Sequence, residues 1–303
     1  MNKRLLLYLF IGWSSILGAQ AQYDPLYNQY VFNQALINPA YNGAFDNASV
    51  TFLGRAQWLG IEGAPITNSL NANTSIFDNK GGVGLSVIDD RLGVSNTTEA
   101  LIAFSYKVDF GDYRLAAGLQ GGVVQYRYNY ADLNMEYVND PSFIPADENF
   151  VKPNFGMGIM FYSEYYYAGI SIPRILNVEV NDGVKESTRY RKHYYISGGI
   201  VLPLSEILKI KPSTLIKVAD SKISVDINAT LLIKEIVWAG VLIRNFNSYG
   251  VLGQLQISDR LRIGYSFEIP STKLVTNQWG THEIMIGFDF APLRSQILKR
   301  KYF

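Results

Sequence analysis

The stretch SDRLRIGYSFEIPSTKLVTNQWGTHEIMIGFDF, residues 258–290, determines the predicted fold. It contains two runs in which apolar residues alternate with polar or small ones, joined by a polar connection at 271–280. A period of two with one apolar face is typical of a half-buried β-strand. Each run is about ten residues long, which a tilted strand needs to cross the hydrocarbon core of a bilayer. The second run ends on Phe290, an aromatic residue suited to the girdle at a membrane interface. We therefore predict two neighbouring strands of an outer-membrane β-barrel.

The alternation continues through the chain and predicts about fourteen strands. Residues 98–110 and 222–233 alternate clearly, whereas 235–244 is apolar on both faces and 208–218 contains Pro212, which removes a backbone donor. The predicted fold class is all-β: one transmembrane antiparallel β-barrel over residues 49–290. The predicted strands are 49–58, 66–77, 82–90, 98–110, 113–126, 153–163, 165–172, 192–202, 208–218, 222–233, 235–244, 249–257, 259–269 and 281–290.

The lengths of the connections indicate which side of the membrane each one faces. Short links such as Gly111-Asp112 and Lys234-Glu235 are typical of the periplasmic side of a barrel. The longer connections at 127–152 and 173–191 are typical of the cell surface. With an even number of strands, both ends of the barrel region are expected in the periplasm.

The first residues predict a secretory signal peptide. Lys3 and Arg4 precede an apolar run, and Ala19-Gln20-Ala21 follows it as a cleavage site, so we assign residues 1–21 to the signal peptide. No later apolar run has the length of a membrane helix. An integral mature protein must then be a barrel, because only helices and closed barrels satisfy backbone groups in lipid. The expected location is the outer membrane.

Composition excludes several classes of function. The chain has 303 residues and no cysteine, which excludes disulfides and thiolate metal sites. Its 27 basic residues nearly balance 26 acidic ones, which argues against a nucleic-acid-binding protein. The 21 Tyr and 16 Phe, with a mean hydropathy of +0.03, fit a barrel whose lipid-facing positions alternate with polar ones. They fit a soluble β-sandwich equally well, so composition leaves both folds open.

The two segments that flank the barrel do not alternate. Residues 22–48 combine turn-forming Asn-Pro and Asn-Gly pairs with many aromatics, so we expect a plug-like segment inside the lumen. Its Asn38-Pro39-Ala40-Tyr41 motif, followed by Gly43, either stabilises this plug or forms a periplasmic docking site. Residues 291–303 are predicted to form a basic periplasmic tail, which is a solvated end or a contact for anionic lipid or a partner. Its basic residues are Arg294, Lys299, Arg300 and Lys301.

Several of these segments carry motifs in a specific order. The first are Asn38-Pro39-Ala40-Tyr41-Asn42-Gly43, Arg55-Ala56-Gln57-Trp58-Leu59-Gly60 and Gly63-Ala64-Pro65. Others follow at 153–158, 167–171, 211–213, 238–240 and 263–266. In this order they strongly resemble the PorP/SprF family of the Bacteroidetes type IX secretion system. The resemblance extends from about Tyr23 to Phe290, and the basic tail is less typical of the family.

The resemblance implies a non-enzymatic outer-membrane barrel associated with gliding motility and protein secretion. It implies, for members similar to SprF, a barrel that binds and holds the C-terminal signal domain of a secreted surface adhesin. For members similar to PorP it implies a general component linking the outer membrane to the periplasmic ring and peptidoglycan-binding proteins. Expected partners are a secreted surface protein or other type IX secretion components and outer-membrane lipid, without nucleic acid or cofactor. A passive transporter for hydrophobic solutes is a further hypothesis.

Aromatic residues near the predicted cell surface are the candidate contacts for a partner. Trp58, at the end of the first predicted strand, either marks the membrane interface or contacts the partner at the rim. Exposed aromatics beside polar loop residues suit a protein interface. The loop aromatics are Tyr128, Tyr130, Tyr137, Phe143, Phe150 and Tyr190.

An enzyme is the competing class, and the sequence argues against it. His193 and His282 are the histidines of the chain, and neither lies in a nucleophile motif. Glu283 follows His282 but points to the opposite face of a strand, so it does not orient that ring. No cluster of metal ligands occurs either. Charges predicted to face the lumen either line a pore or pair with one another and pin a plug: Lys107, Asp109, Arg114, Lys222, Asp226, Arg262 and Glu268.

Overall fold

The computed structural model describes residues 27–129, 148–181, 186–190, 192–219, 222–271, 278–290 and 302–303. Within these ranges one antiparallel sheet of 15 strands forms the wall. Fourteen of them close into a ring, because β1 (Ala48–Ala56) pairs with β17 (Thr281–Phe290) and β10 (His193–Ile200) pairs with β12 (Leu208–Ala219). The extra strand, β11 (Leu202–Pro203), lies beside β12. The predicted signal peptide lies outside the described residues.

The remaining strands of the wall pair with their neighbours in the chain, as in an up-and-down barrel. They are β2 (Ile66–Ile76), β3 (Gly81–Leu92), β4 (Ser95–Phe110), β5 (Tyr113–Tyr128), β6 (Glu148–Tyr162), β7 (Tyr166–Ile172), β13 (Lys222–Ile233), β14 (Val237–Arg244), β15 (Ser248–Gln256) and β16 (Leu261–Pro270). Between β7 and β10, a separate hairpin pairs β8 (Val178–Asn181) with β9 (Glu186–Tyr190).

Among the described residues, three short 3-10 helices precede β1: η1 (Asn28–Val31), η2 (Gln34–Leu36) and η3 (Pro39–Tyr41). No helix among the described residues has the length and apolar content needed to span a membrane. The seam strands β1 and β17 distinguish the two ends of the barrel. The proximal mouth is the end where β1 begins at Ala48 and β17 ends at Phe290, and the distal mouth is the end where β1 stops at Ala56.

The predicted all-β barrel is confirmed, and each predicted strand overlaps one strand of the ring. The predicted loop position of Tyr128 and Phe150 is wrong, because β5 and β6 continue beyond the predicted strand ends. Their inner faces continue to pack there, with the Tyr126 and Phe150 rings stacked at 5.3 Å. The prediction that short links mark one side of the barrel is also wrong. Gly93-Val94, which joins β3 to β4 at the distal mouth, has two residues, as does the link between β4 and β5 at the proximal mouth.

The wall separates apolar from polar side chains as a membrane barrel requires. In β4 the outward Ile102 is 68% exposed and Phe104 is also exposed, whereas the inward Ala103 and Ser105 are buried. The seam strands β1 and β17 follow the same rule. This outer band of apolar residues faces lipid, and the inner surface is free to carry polar groups and glycine.

The strands that alternate poorly in the sequence have a local explanation. The inner face of β14 is apolar because Trp238 packs against Phe32, with ring centroids 6.0 Å apart, and Leu242 is buried beside the same cluster. Pro212 lies within β12 on its outward face, in register with Ala229 of β13. The inner face of β14 is therefore matched to the residues that fill the lumen.

A substitution on the lipid-facing side tests this assignment. Ile102→Arg places a charge near the middle of the outward face of β4, and we expect it to destabilise the barrel by about 2–4 kcal/mol. Phe110→Arg, at the proximal end of the same face, is the matched control and should cost no more than about 1 kcal/mol. Urea unfolding in lipid vesicles measures both. Equal effects at the two positions would contradict the lipid-facing assignment of β4.

Candidate functional site in the barrel lumen

Residues 27–47, which we call the luminal segment, lie inside the ring of strands. The segment begins against the seam, where the backbone N–H groups of Asn28 and Gln29 donate to the Glu283 carboxylate at 2.9–3.0 Å. Asn228 on β13 then donates to the Tyr30 hydroxyl at 2.6 Å. Lys211 on β12 donates to the carbonyl oxygen of Val31 at 2.8 Å. Its first turn thus contacts one half of the wall.

The second half of the luminal segment contacts the other half of the wall. The Gln34 side chain donates to the Tyr167 hydroxyl on β7 at 3.1 Å, and the Asn38 amide donates to the Ile159 carbonyl on β6 at 3.1 Å. Ser105 on β4 donates to the Asn42 carbonyl. The segment therefore follows the inside of the ring from β17 round to β4, and it fills the space between.

Inward-facing glycines make room for this path. A Cβ atom on Gly118 would overlap the Ala40 backbone, and one on Gly158 would overlap the Asn38 side chain. Likewise, Cβ atoms on Gly82 and Gly84 would overlap Asn42. The wall thus has glycine at four positions that the luminal segment approaches. Two of these positions lie in β3, one in β5 and one in β6. The close approach of two backbones is a physical reason for glycine at these positions.

The Asn38-Pro39-Ala40-Tyr41 motif builds η3. The Asn38 side chain accepts from the Ala40 N–H at 2.9 Å as an N-cap, and Pro39 occupies the first helical position, where its missing N–H costs nothing. Asn42 closes the helix by donating to the Pro39 carbonyl at 2.9 Å. Gly43 then turns the chain with φ of +73°, where any Cβ would also overlap β3.

Ion pairs line the inner wall beside the segment. Arg244 bonds Asp226 at 2.8–2.9 Å and Glu268 at 2.9–3.1 Å, and it also donates to Asn28 at 3.0 Å. Arg262 pairs with Asp289 at 2.9 Å. These contacts bind the luminal segment and the wall into one network. Because Arg244 is buried, removing one partner of such a pair costs about 3–5 kcal/mol through the charge left behind.

Four of the seven charges predicted to face the lumen make buried contacts there. Asp226, Arg262 and Glu268 form the pairs just described, and Lys107 donates to the Gly43 carbonyl at 2.6 Å. Asp109 pairs with Arg114 at 2.9 Å near the proximal mouth, and Lys222 is exposed at the distal mouth.

The most buried ion pair of the described residues, Arg55 with Glu283, was not among the predicted charges. Its two residues face each other across the seam, in register in β1 and β17. Because the seam joins the first and last strands of the ring, the pair becomes visible only when the ring closes.

The connection after β7 folds into the distal mouth. The Arg174 guanidinium donates to both oxygens of the buried Glu99 at 3.0–3.1 Å. Asn154 donates to the same carboxylate at 3.0 Å, and Gln120 donates to the Pro173 carbonyl at 2.9 Å. We call Pro173, Arg174 and Glu99 the distal clamp. A cavity between the clamp and the luminal segment is lined partly by Tyr27, Leu36, Ile37 and Leu101.

The candidate contact residues occupy several different places. Trp58 lies in the connection after β1, with φ of +50°. Its backbone N–H donates to the Thr281 hydroxyl at 3.3 Å. Tyr128 is buried with Tyr126 at the inner rim of the distal mouth, and Phe150 packs against them. Tyr190 lies in β9. Tyr130, Tyr137 and Phe143 lie outside the described residues.

The histidines occupy unrelated places. His193 is buried where β10 begins. His282 shares a 2.8 Å hydrogen bond with the Tyr265 hydroxyl on the outer face, while Glu283 points inward. Within the described parts of the chain, His, Asp and Glu side chains form no group of three that could hold a metal ion. The two histidines therefore lie in separate environments, one buried and one on the outer face.

Two residues of the predicted tail are found in the lumen. Tyr302 and Phe303 are buried, and the Tyr41 hydroxyl donates to a backbone oxygen of Phe303 at 2.6 Å. Burial raises the pKa of the Tyr41 hydroxyl, which keeps it protonated as the donor. The expectation of a solvated end is wrong for these two residues, while 291–301 lie outside the described residues.

The glycine contacts generate a prediction. Gly158→Val should push Asn38 off β6 and loosen the luminal segment, because the new side chain occupies the space of the Asn38 amide. The chain has no cysteine, so a single Ala35→Cys substitution reports access to the lumen through labelling by a membrane-impermeant maleimide. We expect slow labelling in the otherwise natural barrel and fast labelling with Gly158→Val.

Gly121→Ala is the matched control, since a Cβ there meets mainly the side chain of Phe155. It should leave labelling of Ala35→Cys slow. Unchanged labelling in the Gly158→Val protein, with the barrel still heat-modifiable on gels, would contradict the close packing of the segment against β6.

Comparison with solved structures gives the same fold. The toluene transporter TbuX of Ralstonia pickettii is 7% identical over 84% of this chain and 92% of that chain, with a TM-score of 0.51. The CymD monoaromatic hydrocarbon channel is 9% identical over 90% of this chain and 94% of that chain, with a TM-score of 0.50. At such identities the likeness concerns the outer-membrane barrel fold alone.

The sequence comparisons concern the family. Among curated proteins none matches this chain. Residues 19–288 match the family described as type IX secretion system membrane protein PorP/SprF. The match covers the luminal segment and nearly the whole wall. This chain therefore belongs to the PorP/SprF family of type IX secretion system membrane proteins, and it forms an outer-membrane β-barrel.

Proposed function

We propose that this barrel binds and holds the C-terminal signal domain of a type IX-secreted surface protein during export and attachment. The distal mouth is the contact surface in this proposal, and it faces the cell exterior. Family and fold point to a non-enzymatic secretion or channel protein, which leaves binding and passage as the two broad options. The interior of the barrel favours binding.

The observation that carries the proposal is the path of the luminal segment. Its hydrogen bonds run from Glu283 on β17 through Lys211 on β12 to Ser105 on β4. In this proposal a segment that crosses the lumen in this way acts as a plug. A plugged barrel can present a rigid rim, and rigid elements position binding residues better than free loops.

The distal clamp supports the choice of the distal mouth. Arg174 bonds Glu99 through both carboxylate oxygens, which fixes the start of the connection that carries β8 and β9. The adjoining cavity offers Tyr27, Leu36 and Leu101 next to this ion pair. A pocket that combines apolar side chains with polar groups suits one inserted side chain of a protein partner. We propose Trp58 and Tyr190 as further contacts of the partner, together with Tyr130, Tyr137 and Phe143, which lie outside the described residues. Tyr128 and Phe150 pack together at the rim of the distal mouth and stiffen it.

A general role in the secretion machine is the second candidate. The basic residues of 291–303 favour it, because a cationic tail would attract an acidic periplasmic partner. The transporter for hydrophobic solutes is less well supported. Buried charges such as Arg244, Arg262 and Lys211 line the wall, and they would have to lose their partners to open an apolar path.

Releasing the distal clamp tests the proposal. Arg174→Ala should free the start of the 173–191 connection, so the exported protein should appear in the medium instead of on the cell surface. Arg91→Ala is the matched control, since Arg91 is exposed and bonds Asp89 at 2.9 Å. A surface ion pair of this kind contributes about 0–1 kcal/mol, so retention should be unchanged.

The partner itself is identified from solubilised membranes. Pull-down with the natural barrel should recover a large secreted protein, and the Arg174→Ala barrel should lose it while remaining heat-modifiable. Normal surface retention in a variant lacking residues 176–190 would contradict holding by this connection. Recovery of periplasmic ring components alone would favour the general role instead.

A further inference from the structure

The aromatic pair Tyr302–Phe303 occupies a built site at the proximal side of the lumen. The last wall strand ends at Phe290, yet Phe303 is only 2% exposed and Tyr302 9%. The Phe303 ring lies 4.8 Å from the Tyr167 ring and 5.6 Å from the Phe45 ring. Phe303 thus packs between the wall and the luminal segment.

Tyr302 has its own contacts. Its ring stacks on Tyr165 with 5.8 Å between centroids and an interplanar angle of 19°. The Lys209 ammonium lies 4.5 Å from the centre of the same ring and donates to the Tyr302 hydroxyl at 2.6 Å. Stacking and a cation at an aromatic ring are each favourable, and together they select a hydroxylated aromatic side chain.

The backbone of the pair is also bound. Lys211 donates to the Tyr302 carbonyl at 2.8 Å, and the same ammonium group donates to Val31 in the luminal segment. The Tyr41 hydroxyl donates to a backbone oxygen of Phe303 at 2.6 Å. Lys211 and Tyr41 therefore hold both the aromatic pair and the luminal segment, so release of one loosens the other.

We propose that the cluster of Tyr41, Phe45, Tyr165, Tyr167, Lys209 and Lys211, which we call the aromatic socket, is a binding site for peptides carrying two consecutive aromatic residues. Tyr302–Phe303 is its occupant from the same chain. The two rings of the pair pack against Tyr165 and Tyr167. Lys211 and Tyr41 donate to its two backbone oxygens, and Lys209 recognises the Tyr302 hydroxyl. An occupied socket keeps the luminal segment in place from the proximal side.

Occupancy by the same chain has a measurable consequence. A tethered ligand competes at an effective concentration on the order of millimolar, so it excludes a free peptide of the same sequence. Removing the two aromatic side chains empties the socket and makes it available. The recognition in this proposal depends on the two rings and on the backbone oxygens of the pair.

A peptide-binding experiment tests this. The barrel with Tyr302→Ala and Phe303→Ala together is titrated with the labelled peptide LKRKYF, residues 298–303, by fluorescence anisotropy in detergent. We expect saturable binding to this double variant, and binding that is about tenfold or more weaker for the natural barrel, because the tethered pair competes. The peptide LKRKAA keeps the positive charges and should not bind.

Three outcomes overturn the proposal: no binding of LKRKYF by a double variant that is still heat-modifiable, equal binding of LKRKAA, or equal binding by the natural barrel.

A cross-link keeps the test decisive if the double variant does not fold. Phe45→Cys with Phe303→Cys should be cross-linked by a short bismaleimide in native membranes, since the two ring centroids lie 5.6 Å apart. Phe45→Cys with Phe290→Cys is the control and should not. Absence of the first cross-link also overturns the proposal.

Discussion

The Glu283 carboxylate connects the two constraints on which this structure depends. One constraint is closure, because a strand edge left open in lipid has unpaired backbone groups. Glu283 lies in the seam opposite Arg55, and the two side chains pair where the first and last strands meet. The other constraint is a filled interior. The same carboxylate accepts the N–H groups of Asn28 and Gln29, which fixes the start of the luminal segment.

Beyond Glu283, the path of the luminal segment depends on the space available inside the wall as much as on charge. The luminal segment has no long apolar helix with which to fill a cylinder, so it coils along the wall in short 3-10 turns. Glycines at positions such as Gly118 and Gly158 allow its backbone to approach the strands. Lys211 and Lys107 then bind its carbonyl oxygens. The barrel is thereby suited to present its rim, and both the proposed holding of a partner and the aromatic socket depend on this filled state.

Much of the wall was predictable, because apolar and polar residues alternate along the sequence of any strand that has one face in lipid. Residues 281–290 form the predicted strand with the predicted faces. The period also continues through Tyr126 and Tyr128, so their strand position could have been found. The Asn38–Gly43 motif was visible as turn-forming residues and through its family resemblance.

The contacts between distant parts of the chain were not predictable. Arg55 and Glu283 are 228 residues apart, and only closure of the ring makes them neighbours. Nothing in one sequence says that a Cβ on Gly158 would meet Asn38, since that depends on the path of another segment. Tyr302–Phe303 follows a run of basic residues and has no periodicity that would reveal a buried site.

The central claim is that the luminal segment is a packed part of the barrel. Hydrogen exchange of the membrane-embedded protein, read by mass spectrometry on peptides from residues 27–47, measures this most directly. The account predicts that these amides exchange as slowly as those of β1 and β17, since the segment is buried and hydrogen-bonded within the lumen. Exchange as fast as in an unfolded chain, while the strands stay protected, would contradict it.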